Sequence, residues 1–281
     1  MGFVDVESIV ERELETLDYE VSKLVTPVGR PSLKIIQVGD NYASTKYVSN
    51  KIKTAKQIGI EAELIKLPEE STTNDVLKHC LTCKGGQGVI VQLPLPKHID
   101  TEKIEKSIEF IHDADGFSAE SLGDVMLHGK NAKLIPATPR GIMTILKDCN
   151  VQIEGKVAVV LGRSNIVGKP IANLLINEGA TVIVCNSKTE NLEEYTKKAD
   201  ILVVAVGKPK MITPDMVKEG AFVVDVGINR GEDNKLCGDV HPDVANKADL
   251  TPVPRGVGLT TVASLMYNTV NIFKMNFNRK A

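Results

Sequence analysis

The sequence predicts an α/β protein of two domains built on parallel sheets. Three observations lead there. Apolar runs of strand length alternate with amphipathic segments along the chain. The runs are nearly continuous in Val, Ile and Leu, which is the pattern of strands covered on both faces by helices. At 281 residues and 42% hydrophobic content, the chain is long enough for more than one core.

The elements follow in order. Strands are expected at Leu33 to Val38, Ala62 to Leu67 and Gly88 to Leu93, then at Val157 to Leu161, Thr181 to Cys185, Ile201 to Val206 and Ala221 to Val226. Between Asp115 and Gly155 the strand rhythm gives way to turn chemistry: Asp115-Gly116, His128-Gly129-Lys130-Asn131 and Pro136-Ala137-Thr138-Pro139-Arg140-Gly141. The domain junction is placed there. The last segment, Thr260 to Lys274, carries Val262, Leu265, Met266, Val270 and Phe273 at helical spacing and is predicted to pack back on the first domain.

Composition excludes several classes. A formal net charge of −2 leaves no basic footprint for nucleic acid. The opening residues lack the pattern of an export signal or a lipid anchor, and no apolar run approaches the roughly 20 residues of a membrane span. Five cysteines cannot all pair with one another, which fits a reducing cytoplasm. Cys80-Leu81-Thr82-Cys83 follows His79, but no second such motif completes a zinc site, so no metal is expected.

Two motifs carry chemistry. The strand Val157 to Leu161 runs into Gly162-Arg163-Ser164-Asn165-Ile166-Val167-Gly168-Lys169-Pro170, with a helix expected from about Pro170 to Asn177. A Gly-rich turn between a strand and a helix N-terminus is an anion site, because backbone N–H groups and the helix dipole face the ligand. The spacing is neither G-x-G-x-x-G nor that of a P-loop, in which a hydroxyl would stand where Pro170 does. Later strand-end glycines, Gly207 and Gly227, favour a dinucleotide turn. The second strand of this domain ends in Asn186-Ser187-Lys188, without the carboxylate that binds ribose hydroxyls in NAD sites. Arg163 and Lys188 are available for a 2′-phosphate, which points to NADP; the alternative is that both are solvated cations.

In the first domain, Gly39-Asp40-Asn41-Tyr42-Ala43-Ser44 is a turn expected to open a helix with Ser44 near its cap. Ser44, Tyr47 and Lys51 then share one face, at the carboxyl edge of the preceding strand where α/β proteins place ligands. Tyr-x-x-x-Lys also marks short-chain dehydrogenases. There it follows the dinucleotide turn, whereas Tyr47 precedes Gly162 here. Gln92 ends the strand Gly88 to Gln92 before a stiff Leu93-Pro94-Leu95-Pro96 exit.

These residues, with Asp113-Ala114-Asp115-Gly116-Phe117 and Pro252-Val253-Pro254-Arg255-Gly256-Val257-Gly258, resemble the methylenetetrahydrofolate dehydrogenase/methenyltetrahydrofolate cyclohydrolases over essentially the whole chain. The resemblance implies tetrahydrofolate derivatives as substrates, NADP as cofactor and a homodimer. It implies a folate-binding catalytic domain over 1–139, joined by the C-terminal helix 260–281, and an NADP-binding Rossmann-like domain over 140–259. It makes Lys51 the acid/base, oriented by Gln92. Tyr47 stacks on the substrate, with Ser44, Asp115, Gly256 and Gly258 completing the folate side. Gly162, Arg163, Ser164, Ile166, Val167, Gly168, Ser187 and Ile228 line the cofactor side. The chain departs from the family pattern at Phe110 (usually proline), His112 (usually lysine), Asn186 (usually histidine), Arg255 (usually glycine) and Leu259-Thr260 (usually Pro-Met).

Two rival readings share parts of this pattern. A plain NADP-linked oxidoreductase would need the Gly162 turn but not Tyr47, Lys51, Gln92 and Asp115 together. A non-catalytic folate or nucleotide sensor would bind both ligands without turnover.

Overall fold

Eleven strands and nine α-helices succeed one another in the computed structural model, which describes residues 1–24, 29–231 and 234–278. The strands are β1 (Gly2–Phe3), β2 (Ser32–Val38), β3 (Glu61–Leu67), β4 (Gln87–Val91), β5 (Val157–Leu161), β6 (Thr181–Cys185), β7 (Ile201–Val204), β8 (Phe222–Asp225), β9 (Asn229–Arg230), β10 (Leu236–Cys237) and β11 (Asp249–Leu250). The helices are α1 (Val6–Leu24), α2 (Tyr42–Gln57), α3 (Thr73–Leu81), α4 (Thr101–Ser107), α5 (Ala119–His128), α6 (Ala137–Asp148), α7 (Gly168–Asn177), α8 (Leu192–Thr196) and α9 (Val257–Asn278). By contact the chain divides into two units. One comprises 1–11, 125–131 and 138–261, and the other 12–124, 132–137 and 262–281. The first of these is called the large-sheet unit and the second the small-sheet unit.

The small-sheet unit holds a parallel sheet in the order β3-β2-β4. Side chains alternate across it, as the period of a strand requires. Leu33, Ile35 and Ile90 pack against Leu17 and Val21 of α1, Val48 and Ala55 of α2, and Leu265, Met266 and Val270 of α9. Ile36, Val38, Val89 and Val91 face the other way, onto Val76 and Cys80 of α3 and Ile104 of α4. Each such fully buried aliphatic side chain contributes roughly 1.5–3 kcal/mol. Cover differs between the two edge strands: β4 is buried throughout, whereas β3 leaves Glu61, Glu63, Leu64 and Lys66 exposed.

Within this unit α9 is a core element. Asn268 donates from Nδ2 to the carbonyls of Ala114 (2.9 Å) and Ile135 (2.8 Å), so a buried amide pins the helix to the Asp-Gly loop and to the segment before α6. The helix starts at Val257, earlier than the Thr260 expected from its apolar spacing, and residues 279–281 of the expected span lie outside the described residues. On α3, the buried Lys34 donates to the carbonyls of His79 and Thr82, satisfying the helix C-terminus. Cys83 donates its thiol to the Cys80 carbonyl, so the pair forms part of that helix end.

The large-sheet unit carries an all-parallel sheet in the order β1-β11-β8-β7-β5-β6. The chain leaves β5 for β6 on one side and returns to β7 on the other, so the strand order reverses at the carboxyl end of β5. That is where open α/β sheets place ligands. The two-residue strands β1 and β11 are too short to leave a periodic signal; β1 is held by Gly2↔Asp249 and Phe3↔Leu250 pairing, which groups the first residues with this unit. Strand β6 is the other edge, and Thr181 and Val184 are exposed on it. β9 and β10 form a separate antiparallel ribbon.

The region read as turns, 115–155, contains two helices, α5 and α6. In α6, Ile142, Ile145 and Leu146 are fully buried at helical spacing, but Pro136, Pro139 and Gly141 mask that pattern in the sequence. Pro139 sits in the first turn, where its missing N–H costs no hydrogen bond. Among the described residues no helix is long and apolar enough to cross a membrane.

Candidate active site

Lys51 and Gln92 meet. Lys51 lies in the middle of α2, Gln92 follows β4, and the lysine Nζ donates to Gln92 Oε1 at 3.0 Å. The Gln92 amide cannot turn round without loss, because its Nε2 donates to the Leu93 carbonyl at 2.7 Å, and its backbone N–H, bonded to Ile36 O at 2.8 Å, fixes the main chain that carries it. The oxygen is therefore the end presented to the lysine. Burial lowers the Lys51 pKa below the ordinary lysine value, and the negative charge of Asp115 opposes that shift. Asp115 is pushed up to about 6 by burial, against the pull of Lys51 and with the repulsion of Asp113 and Glu105. Both residues keep some whole-residue exposure, yet their charged groups are enclosed by protein.

Local structure explains how α2 reaches this place. Its N-cap is Asn41, whose side chain accepts from the Ser44 N–H at 3.1 Å, so the cap lies three residues before the one expected. Ser44 is instead 5% exposed within the first turn, and its hydroxyl oxygen has no hydrogen-bond partner. Tyr47 is half-buried one turn further on, and burial raises the pKa of its phenol. The loop bearing Asp115 is held by its neighbour: Asp113 is buried and accepts from the N–H groups of Gly116, Phe117 and Ser118 and from the Ser121 hydroxyl. Gly116 has φ +73° and its place for a Cβ is filled by Pro136, so only glycine serves in this turn.

In the large-sheet unit, the Gly162 turn leaves β5 beside the exit of β6, with Gly162 N–H donating to Cys185 O at 2.9 Å. A Cβ on Gly162 would stand 2.4 Å from the Ala205 carbonyl, and one on Gly168 2.2 Å from the Gly162 carbonyl. The backbone therefore closes into a tight bend that side chains cannot enter. Ser164 Oγ accepts from the N–H groups of Val167 and Gly168 and shapes the entry to α7, which starts two residues before the expected Pro170. Arg163, Ser187 and Lys188 are all exposed at the exits of the adjacent strands β5 and β6, and Asn186-Ser187-Lys188 carries no carboxylate. A phosphorylated ribose fits that charge pattern better than an unphosphorylated one. Ile228 is half-exposed, with its Cδ1 4.0 Å from where a Cβ on Gly258 would stand.

Comparison with known proteins decides the relationship. Residues 4–115 match the model of the tetrahydrofolate dehydrogenase/cyclohydrolase catalytic domain, and residues 136–277 that of the corresponding NAD(P)-binding domain. The chain belongs to the tetrahydrofolate dehydrogenase/cyclohydrolase family. It is 48% identical to the bifunctional protein FolD of Bacillus cereus over 271 residues, covering 95% of this chain and 94% of the relative. The solved bifunctional enzyme FolD of Campylobacter jejuni superposes with a TM-score of 0.93 at 42% identity, over 99% of both chains. The Trypanosoma brucei FolD structure, complexed with NADP cofactor and an inhibitor, gives 0.92 at 34% identity over 98% of both.

The departures from the family pattern are accommodated locally. Thr260 is fully buried: its hydroxyl donates to Val257 O at 3.0 Å, and it fills the space a side chain on Gly141 would need. Arg255 takes the left-handed φ of +74° that glycine favours, and its guanidinium pairs with Glu7. Asn186 accepts from the Lys188 N–H and shapes the turn after β6. His112 contacts Gln87 O through Nδ1 at 2.7 Å. The position of Phe110 has no explanation beyond its packing on the small-sheet core.

Sequence reasoning missed a pair of buried carboxylates in the large-sheet unit. Asp225, at the end of β8, accepts from the N–H groups of Gly227, Asp239 and Val240, and burial pushes its pKa up to about 6. Asp239 accepts from the N–H groups of Val206, Gly207 and Lys208 and from Asn229 Nδ2. Together they shape the exits of β7 and β8. The signal was present as Asp225-Val226-Gly227 directly after an apolar run and as Gly238-Asp239, a short carboxylate close to a glycine in each loop.

Proposed function

We propose that this protein oxidises 5,10-methylenetetrahydrofolate to the 5,10-methenyl derivative with NADP and then hydrolyses that product to 10-formyltetrahydrofolate, within one-carbon folate metabolism. The observation that carries the reading is the buried Lys51–Gln92 pair facing the charge of Asp115, in a chain of this family.

NADP, when bound, accepts the hydride from the methylene carbon. Gly162, Ser164, Ile166, Val167 and Gly168 form the bend that would receive its diphosphate, with Arg163 and Ser187 on the 2′-phosphate and Ile228 on the nicotinamide side. Tyr47 stacks on the folate, Ser44 and Asp115 hold it by hydrogen bonds, and Gly256 and Gly258 keep their stretch of backbone free of side chains. Hydride loss asks no proton of the protein, so its task there is alignment.

Hydrolysis does move protons. As water adds to the methenyl carbon, Lys51 takes one of its protons. It returns that proton to N5 as the carbon–N5 bond breaks, while the remaining hydroxyl proton of the adduct leaves to water as the C=O forms, so that the formyl group stays on N10, one proton is released overall and the amine ends as it began. Desolvation makes Lys51 a usable base, Asp115 steadies its protonated form, and Gln92 fixes the direction of the Nζ.

We further assign the folate-binding catalytic role to 1–139 with helix 260–281 and the NADP-binding role to 140–259. A homodimer working in the cytoplasm, without nucleic acid, completes the reading; the near-neutral charge supports the last point. The test is turnover: purified protein with 5,10-methylenetetrahydrofolate and either NADP or NAD, following methenyl product and reduced cofactor separately. Both products are expected, with NADP preferred. Binding of both ligands with no reduced cofactor would overturn the reading.

A further inference from the structure

One titratable group beside the folate-side residues has no part in the mechanism above. Glu105, on α4, lines the same cavity as Asp113 and Asp115, and the rest of that wall is largely aliphatic: Val91, Leu93 and Ile104 among others. The carboxyl is half-buried, and among the described residues no hydrogen bond or ion pair engages it. An unpaired carboxyl on an apolar wall costs stability.

The groups around it are of one sign. Glu102 is on its own helix and pairs with Lys106; Asp113 and Asp115 approach from the Asp-Gly loop. Strand β4 offers only Val89 and Val91 to the cavity. On α3, which also packs against α4, Asp75 is engaged with Thr72 and Lys78. Lys106 is engaged with Glu102, and Lys51 is the cation that acts on Asp115.

We propose that Glu105 is a positioning residue of the hydrolytic step, which acts on Asp115 across the cavity wall they share. The proposal rests on the reading of Lys51 as the acid/base. A negative charge beside Asp115 favours the protonated form of that carboxyl. Without it Asp115 stays ionised to lower pH, so the acid limb of the hydrolytic pH profile moves down.

The experiment compares wild type with Glu105→Gln and Glu105→Leu, the second of which suits the apolar wall if the first folds poorly. Glu102→Gln, an exposed change on the same helix, is the control. Cyclohydrolase rate is measured from pH 4.5 to 9, and the Asp115 carboxyl is titrated by carbon-13 NMR, a readout that needs no turnover. Both Glu105 variants are expected to lower the Asp115 midpoint and the acid limb by roughly half to one pH unit, with the control unmoved. An NMR midpoint that stays put in both variants overturns the proposal, as does a fall in rate and melting temperature with no change in profile. A wild type with no cyclohydrolase activity would instead strike at the proposed function, and the NMR arm would still decide the role of Glu105.

Discussion

The two sites of this molecule are built by opposite means. In the small-sheet unit, side chains with displaced proton affinities make the candidate site: Lys51 and Asp115 are enclosed by protein, and Gln92 is held between Lys51 and the Leu93 carbonyl. In the large-sheet unit the Gly162 turn closes tightly because Gly162 and Gly168 carry no side chain, and Arg163 and Lys188 stand exposed at the exits of β5 and β6. Chemistry that moves protons needs burial, which shifts pKa values. Recognition of a phosphate needs accessible donors and a close backbone. The difference predicts how each site fails.

The largest effect is expected at Lys51. Lys51→Met keeps much of the stem and removes the ammonium, so cyclohydrolase turnover should fall by about 10²–10⁴-fold, the usual contribution of a general acid/base, with dehydrogenase turnover reduced less. Both rates and the melting temperature of one preparation settle the matter. Full hydrolysis in a folded variant would remove Lys51 from the mechanism, and equal loss of both activities with lower stability would make it structural.

At the other site a single exposed contact is at stake, and the effect should be smaller. Arg163→Ala is expected to raise the KM for NADP by about tenfold to a hundredfold and that for NAD less, because one charge-assisted contact is worth roughly 1.5–3 kcal/mol. Equal losses for the two cofactors would show that Arg163 does not read the 2′-phosphate and would blur the contrast between the sites.

Legibility in the sequence follows the same division. The long buried strands β2, β4, β5, β7 and β8 were readable because their apolar runs are continuous, while β1 and β11 consist of two residues whose pairing is decided by distant chain. Residues 115–155 read as turns because Pro and Gly outweigh a helical stripe only a few residues long. The Ser44, Tyr47 and Lys51 stripe was readable from helical period alone. That Gln92 reaches Lys51 depends on the order β3-β2-β4, which no local pattern contains. Asp113, Asp225 and Asp239 escaped because a carboxylate that organises backbone N–H groups looks in sequence like any loop aspartate.

The smallest effect is expected where the chain departs most visibly from its family, at Arg255. A non-glycine residue at φ +74° costs roughly 1–2 kcal/mol, so Arg255→Gly relieves strain. The same change frees the unfolded chain, which takes back about 0.4–1 kcal/mol. It also removes the Arg255–Glu7 pair, whose side chains are 69% and 42% exposed and which therefore contributes no more than about 1 kcal/mol. The gain and the losses nearly cancel, so the urea midpoint of Arg255→Gly should correspond to a stability within about 1 kcal/mol of wild type. Glu7→Gln, which removes the pair but leaves the strain, should be the less stable of the two. A loss well beyond 2 kcal/mol in Arg255→Gly would mean that the guanidinium holds the 252–258 loop by more than this one exposed pair. A loop held in that way would depend on side chains, as the Lys51 site does, and the contrast drawn between the two sites would have to be narrowed to the Gly162 turn alone.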